Sequence, residues 1–223
     1  MDMRFAKSRV GLWLHDRRWL LVVLFLGILI PLYVFGELAE DVLMQETLSF
    51  DRPILLFLHS QSTPALDRIM LAITALGYLF GVVPLDVGIF LWFVWRRRWQ
   101  DAGFWSIATG GAALLNLIAK SLFGRVRPDI WLSLSPETSF SFPSGHAMGS
   151  MALVAALIVL VWPTRWRNAT ILIGGLFVIL VGVSRSYLGV HYPSDILAGW
   201  TASAAWVSGV SLFRINKTRA RSQ

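Results

Sequence analysis

The sequence predicts an all-α fold, a bundle of six transmembrane helices. Of the 223 residues, 56% are hydrophobic and only 15% are charged, whereas a soluble domain usually carries about a quarter charged residues. The apolar residues fall into separate blocks of roughly 18 residues, and a helix of that length is close to the thickness of a bilayer's hydrocarbon core. The predicted spans cover residues 19–36, 78–95, 105–121, 146–162, 169–187 and 195–213.

One or two amphipathic helices are predicted between the first two spans, lying in the membrane interface. Thr63 and Pro64 form a typical helix start, with Thr as the N-cap and Pro in the first turn. Apolar residues follow at helical spacing, with Asp67 toward the polar side. Residues 50–58 are a second candidate. No internal repeat or appended soluble domain is visible, so residues 1–223 are expected to form a single integral membrane domain.

The basic residues predict how this bundle is oriented. The net charge of +7 comes mostly from short runs between the apolar blocks, among them residues 96–98 and the pair Arg165 and Arg167. Such runs mark cytoplasmic loops, so both termini are predicted to be cytoplasmic. The same placement argues against nucleic acid as a partner, because no basic helix or aromatic-interleaved patch lies outside these loops.

Four short polar segments fall at span ends that would meet on the opposite face of the membrane. They include three cations, Lys120, Arg127 and Arg185. Partly desolvated cations repel one another unless an anion lies between them, and Arg matches the geometry of phosphate oxygens. Ser144 and Gly145 directly precede the fourth span, where backbone N–H groups and the helix dipole also attract an anion. The sequence therefore predicts a phosphate site on this face.

Two histidines in these segments predict chemistry at the phosphate. His191 lies four residues before Asp195. An Asp at this spacing can bind one ring nitrogen of His191 and fix its tautomer, which leaves the other nitrogen free to attack phosphorus. His146 is then the candidate general acid that protonates the departing oxygen. No metal or other cofactor is expected, because the sequence contains no carboxylate cluster typical of Mg²⁺ sites and no cysteine.

These segments together resemble the three-part signature of the type 2 phosphatidic acid phosphatase family, whose site is shared with vanadium haloperoxidases. The first part is Lys, six residues and Arg-Pro, at residues 120–128. The second is Pro-Ser-Gly-His, at residues 143–146. The third is Ser-Arg, five residues, His, three residues and Asp, at residues 184–195. All three parts are present and in order, and the joint match is far more specific than any one part.

The resemblance implies roles for these residues. His191 is the nucleophile, Asp195 orients it, and His146 is the general acid. The reaction is metal-independent hydrolysis of a lipid phosphate through a phosphohistidine, with phosphatidate, phosphatidylglycerophosphate or undecaprenyl pyrophosphate as typical substrates. The resemblance also points to a bacterial plasma membrane, with the site on the periplasmic or extracellular face. The phosphate-binding residues it implies are Lys120, Arg127, Ser144, Gly145, Arg185 and Ser184.

Two other functions remain open from the sequence. A phosphotransferase would use the same phosphohistidine with a lipid or sugar hydroxyl as the acceptor. A transporter for an anionic lipid is less favoured. Transporters place their sites near the membrane midplane and show internal repeats, whereas here the charged segments fall at one face and no repeat is visible. The sequence leaves open which lipid phosphate is the substrate and what the oligomeric state is.

Two charged residues are left outside this scheme. Arg125 is predicted to be solvated or to contact lipid headgroups. Asp86 falls near the middle of the second predicted span, where a carboxylate is costly and usually functional. The simplest expectation for Asp86 is a hydrogen bond to a polar neighbour such as Asn116, and a role in admitting substrate is the alternative.

Overall fold

The computed structural model describes residues 22, 25–46 and 48–219, and only the backbone of residues 214–219. All regular structure in these residues is helical. A π-helical turn, Phe25–Leu29, leads directly into the first α-helix. The helices are α1 (Ile30–Leu43), α2 (Asp51–Ser60), α3 (Pro64–Leu76), α4 (Val82–Trp95), α5 (Trp99–Phe123), α6 (Gly145–Val161), α7 (Arg167–Tyr187) and α8 (Pro193–Arg219).

Five of the six predicted spans fall on helices α4 to α8. Within the described residues, three helical segments are long and apolar enough to cross a membrane, namely Trp99–Phe123, Arg167–Tyr187 and Pro193–Phe213. Helices α4 and α6 are apolar but shorter. The sequence predicted helix length less well than helix position, because a helix continues through polar residues as long as its backbone bonds are made.

The first predicted span shows this difference most clearly. Its beginning lies outside the described residues. The helix that contains its predicted end at Gly36 runs further, because α1 continues to Leu43. The residues after Gly36 include Glu37 and Glu40, which end the hydropathy block but are good helix formers.

Small side chains let the central helices approach closely. Ala108 and Ala112 on α5 and Ala152 and Ala156 on α6 are all buried in one core cluster. Helix α8 packs against both α6 and α1, and α6 also packs against α7. Interfaces of this kind bring backbones together through van der Waals contact, as is usual between apolar helices. The ends of α5 to α8 are thereby fixed relative to one another.

The two short helices α2 and α3 pack against the end of α7. The helix start predicted at Thr63 is confirmed, since Thr63 Oγ1 accepts a hydrogen bond from the backbone N–H of Leu66 at 3.2 Å and Pro64 is the first helical residue. Tyr187 at the end of α7 donates a hydrogen bond to Asp67 of α3 at 2.6 Å. Helices α2 and α3 therefore cover the same end of the bundle at which the candidate site residues lie.

Candidate active site

The polar ends of the long helices meet in one cluster. Lys120 lies in the last turn of α5, and Arg127 follows in the loop after it. His146 lies in the first turn of α6, and Arg185 in the last turn of α7. His191 lies in the turn that precedes α8. These residues come from the segments in which the sequence placed its candidate site.

A carboxylate lies between the two arginines. Glu137, in the loop between α5 and α6, accepts a hydrogen bond from Arg127 Nη2 at 2.5 Å through Oε2 and another from Arg185 Nη2 through Oε1. Its Oε1 is also 3.9 Å from Nδ1 of His146. We call the space around this carboxylate, bordered by Arg127, Arg185 and His146, the anion pocket. An anionic group thus occupies the point where these three side chains converge.

Arg185 is fixed from behind by α3. Its side chain is only 1% exposed, and Nη1 donates to Thr74 Oγ1 at 2.5 Å. Its Nε is buried without a partner within the described residues. An arginine presents several donors in a rigid planar fork. The contact with Thr74 therefore sets which edge of the fork faces the anion pocket.

Arg127 and Lys120 share contacts with one stretch of the loop. Arg127 Nε donates to the carbonyl of Ser139 at 2.7 Å. Lys120 Nζ donates to Ser139 Oγ at 3.0 Å and to the carbonyl of Phe140 at 2.6 Å. Arg127 Nη1 reaches further and donates to the carbonyl of Val190 at 2.6 Å. Both cations are thus tied to the backbone that surrounds the pocket rather than extended into solvent.

The contacts of His191 determine its tautomer. Its Nε2 lies 3.1 Å from Arg127 Nη1, and its Nδ1 lies 3.3 Å from Asp195 Oδ2. Arginine nitrogens only donate, so Nε2 must be the acceptor and the proton must be on Nδ1. The lone pair of Nε2 consequently faces the guanidinium that borders the anion pocket. This is the nitrogen that a nucleophilic histidine would use.

Asp195 is fully buried and receives donors from several directions. Its Oδ2 accepts from the Ser141 hydroxyl and from the backbone N–H of Tyr192 at 2.9 Å. Its Oδ1 accepts from Arg125 Nη1 at 2.6 Å. The prediction that Arg125 is solvated or contacts headgroups is wrong, because its side chain is only 12% exposed and pairs with both Asp195 and Asp51.

The Pro-Ser-Gly segment forms the start of α6 as expected for a capped helix. Ser144 Oγ accepts from the backbone N–H of Ala147 at 3.5 Å, and Ser144 N donates to the carbonyl of Asp195 at 3.1 Å. Asn116 of α5 donates to the carbonyl of Pro143 at 2.9 Å. A Cβ at Gly145 would lie 3.0 Å from Asn116 Oδ1, so glycine allows this close approach.

The remaining candidates are placed less directly. Ser184 is buried on α7, but its hydroxyl donates to the carbonyl of Val181 at 2.7 Å, within its own helix. The ring of His146 packs against that of Tyr78, with 5.0 Å between the ring centroids. Tyr78 lies just before α4, and its contact limits the orientations that His146 can adopt.

Two residues of the site that lie outside the helices, His191 and Glu137, have pKa values that their surroundings shift. Burial lowers the pKa of His191 to about 4, and the neighbouring Asp195 offsets only part of this effect. Burial alone would raise the pKa of Glu137, but the guanidinium groups of Arg185 and Arg127 outweigh it and hold that pKa below its usual range. At neutral pH the cluster therefore contains a neutral His191 and an ionised Glu137.

Sequence reasoning missed Glu137, Asn116 and Asp51 as parts of this region. Glu137 had a usable signal, since it and Asp129 are the only acidic residues between Arg127 and Asp195 in the sequence. The other two offered no motif. The hydrogen bond expected between Asp86 and Asn116 is absent, because the Asn116 amide donates to Pro143 and to Met148 Sδ. Asp86 Oδ1 is buried without a partner in the described part of the chain.

Fold and site together define a class of protein. Apolar helices pack into a bundle, and at one end a His–Asp pair adjoins a pocket in which cationic side chains surround the Glu137 carboxylate. The model of the PAP2 superfamily matches residues 101–219 of the 223. The chain belongs to the PAP2 superfamily, and the resemblance drawn from the three motifs is confirmed.

Particular relatives cover most of the chain. Phosphatidylglycerophosphatase B of Bacillus subtilis (strain 168) is 38% identical over 143 residues, which are 62% of this chain and 70% of that protein. Undecaprenyl-diphosphatase of Sulfolobus acidocaldarius is 25% identical over 199 residues, 87% of this chain and 89% of that protein. The crystal structure of a transmembrane PAP2-type phosphatidylglycerolphosphate phosphatase from Bacillus subtilis superposes with a TM-score of 0.73 at 31% identity, covering 83% of this chain and 96% of that one.

Proposed function

We propose that the protein is an integral membrane enzyme that hydrolyses a phosphomonoester or diphosphate bond of a lipid phosphate through a phosphohistidine at His191. The observation that carries this proposal is the anion pocket. A carboxylate lies there between Arg127 and Arg185, next to a neutral histidine whose free nitrogen faces the same guanidinium. A phosphoryl group offers the oxygens that such a pair of guanidinium groups binds best.

The first step transfers the phosphoryl group to the enzyme. The phosphoryl group takes the place of the Glu137 carboxylate, because two anions in one pocket repel each other. Nε2 of His191 attacks phosphorus while the bond from phosphorus to the lipid oxygen breaks. His146 donates the proton that the departing oxygen takes up. Arg127 and Arg185 stabilise the charge on the phosphoryl oxygens during this transfer.

The second step releases phosphate. Water attacks the phosphorus of the phosphohistidine, His146 accepts the proton of the water, and the bond between phosphorus and His191 breaks. The proposal assigns the positive charge that a phosphoryl group needs to Lys120, Arg127 and Arg185, and Ser144 and Gly145 contribute backbone N–H groups at the start of α6. No metal is assigned a role, and Ser184 is a neighbour of this group through its place on α7.

The same proposal includes the arrangement in the membrane. The whole chain forms one domain with six spans, of which α4 to α8 supply five, and α2 and α3 lie in the interface. Both termini are cytoplasmic, because the basic loops lie on that side. The anion pocket then opens to the periplasmic or extracellular face of a bacterial plasma membrane. The relatives support the choice of a lipid substrate, with phosphatidylglycerophosphate and undecaprenyl pyrophosphate as the leading candidates.

A panel of lipids tests the reaction. Purified protein in EDTA is given vesicles that contain phosphatidylglycerophosphate, phosphatidate or undecaprenyl pyrophosphate, and free phosphate is measured. We expect release from at least one lipid at a rate that EDTA does not reduce. Release that requires an added lipid or sugar alcohol would instead indicate a phosphotransferase. An absence of release from every lipid would contradict the proposal.

Glu137→Gln is expected to tighten the binding of inorganic phosphate. The charged carboxylate competes for Arg127 and Arg185, whereas the amide competes weakly. A charge-assisted hydrogen bond contributes about 1.5–3 kcal/mol, so we expect the inhibition constant of phosphate to fall by at least roughly tenfold. The constant is measured from competitive inhibition of lipid hydrolysis.

The matched control is Asp129→Asn, which removes the same charge from an exposed residue of the same loop. It reports the general electrostatic effect of the loop. If both variants change the inhibition constant equally, or if Glu137→Gln weakens phosphate binding, the carboxylate does not compete with phosphate for the pocket.

A further inference from the structure

We propose that Arg125 and Asp51 are positioning residues for the nucleophile, because together they hold the Asp195 carboxylate in the orientation that its bond to His191 requires. The inference rests on the proposed function, since it takes His191 to be the nucleophile. Asp51 lies outside residues 101–219, the part of the chain that the superfamily model matches.

The two oxygens of Asp195 are held by different partners. Oδ2 accepts from the Ser141 hydroxyl and the backbone N–H of Tyr192, and it faces Nδ1 of His191 at 3.3 Å. Oδ1 accepts from Arg125 Nη1 at 2.6 Å, its one hydrogen-bond donor among the described residues. A carboxylate rotates about the bond to its Cβ, so a firm contact on each oxygen is needed to fix its plane. Arg125 supplies the contact on the side away from His191.

Arg125 is itself held from three sides. Its Nη2 donates to Asp51 Oδ2 at 3.0 Å, and its Nη1 also donates to Ser194 Oγ at 2.7 Å. The guanidinium lies over the ring of Tyr192, 4.2 Å from the centroid, as in cation–π pairs. A side chain with these contacts cannot shift without breaking a bond to one of its neighbours. The contacts that fix Arg125 therefore also restrict the Asp195 carboxylate to which it donates.

Asp51 connects this arrangement to the start of α8. It is 3% exposed, its Oδ1 accepts from the backbone N–H of Ser194 at 2.9 Å, and its Oδ2 accepts from Ser194 Oγ at 2.6 Å. A carboxylate at a helix N-terminus satisfies backbone donors that the helix leaves unpaired. Asp51 thereby fixes the first turn of α8, which carries Asp195, and anchors Arg125 at the same time.

Charge balance makes the two residues interdependent. One guanidinium lies between two carboxylates, and all three groups are largely buried. Removing Arg125 alone leaves two buried anions without a counterion, which is strongly destabilising. A loss of activity in that variant therefore mixes unfolding with misplacement of Asp195. A double variant separates the two causes, because it removes a positive and a negative charge together.

The experiment compares Arg125→Gln, Asp51→Asn and the double variant for kcat, KM and thermal midpoint in detergent. We expect both single variants to lose thermal stability. The double variant should recover stability and still have a kcat roughly ten- to a hundredfold below wild type, a size typical for losing a group that orients a reacting side chain. KM should change little, because Arg125 makes no contact with the anion pocket residues Arg127, Arg185 and His146 in the hydrogen bonds described.

Two further variants complete the test. Arg125→Lys keeps the charge and should recover part of kcat, whereas Arg52→Gln, at the exposed neighbour of Asp51, should match wild type. A double variant with wild-type kcat, in protein whose phosphate release still depends on His191, overturns the positioning role and leaves the proposed function intact. A kcat that follows the thermal midpoint in all variants also overturns it, since a purely structural role predicts that pattern.

Discussion

His191→Ala is expected to release no phosphate from any lipid phosphate above the protein-free background, a loss of roughly 10⁴-fold or more. The reason is that the lone pair of His191 Nε2 faces the guanidinium that borders the anion pocket, and Asp195 holds the proton on the opposite nitrogen. Water at the same place is a far weaker nucleophile. The measurement is release of labelled phosphate from lipid vesicles.

The covalent intermediate gives an independent readout of the same prediction. Wild-type protein quenched shortly after mixing with labelled lipid phosphate should carry a label that survives alkali and is lost in acid, as expected for a phosphohistidine. His191 is fully buried, so His191→Asn is the better matched variant for stability and should be equally inactive. Phosphate release at the wild-type rate by either variant would contradict the mechanism.

The pH dependence of the wild-type enzyme also tests whether His191 is the nucleophile. Burial lowers the pKa of His191 to about 4, whereas an unperturbed histidine titrates near about 6.5. A histidine with a lowered pKa stays neutral, and therefore nucleophilic, until the pH falls toward that lower value. Loss of kcat/KM through protonation of His191 should accordingly occur near pH 4 and not near pH 6.5.

His146→Ala is expected to have effects that depend on the leaving group. A lipid alkoxide needs a proton as it departs, so the variant should lose about 10²–10⁴-fold in kcat with a lipid phosphomonoester. Nitrophenolate departs without a proton, so p-nitrophenyl phosphate should still phosphorylate His191. Hydrolysis of the phosphohistidine also needs His146, as base. The variant should therefore release about one nitrophenol per molecule quickly and then slow down.

The control for this experiment is Ser121→Ala. Ser121 is an exposed residue on α5, and its hydroxyl donates to the carbonyl of Leu117 in the same helix, so its loss should leave both substrates unaffected. A His146→Ala variant that loses activity equally with both substrates, and shows no burst, would assign His146 to binding or stability and not to proton transfer.

The candidate site could be predicted from the sequence to the extent that its residues belong to motifs. Lys120, His146 and Arg185 lie in terminal helical turns, and Arg127 and His191 lie in the loops next to them. Each of the five was named from residue type and spacing. The structure places them in one cluster. Ser184 shows the limit of this reasoning, because its motif position does not reveal that its hydroxyl is used within α7.

The sequence by itself determined where most of the described helices lie and which residues are candidates for the chemistry. Hydropathy, capping at Thr63 and Ser144, and the spacing of His191 and Asp195 act over one or two helical turns, so they can be read along the chain. Only the tertiary structure decided which charges meet. Arg125 and Asp51 are 74 residues apart, and Glu137 and Arg185 are 48 apart. Such pairs depend on how helices pack, because a charged side chain finds its partner through space, and no local pattern encodes that choice.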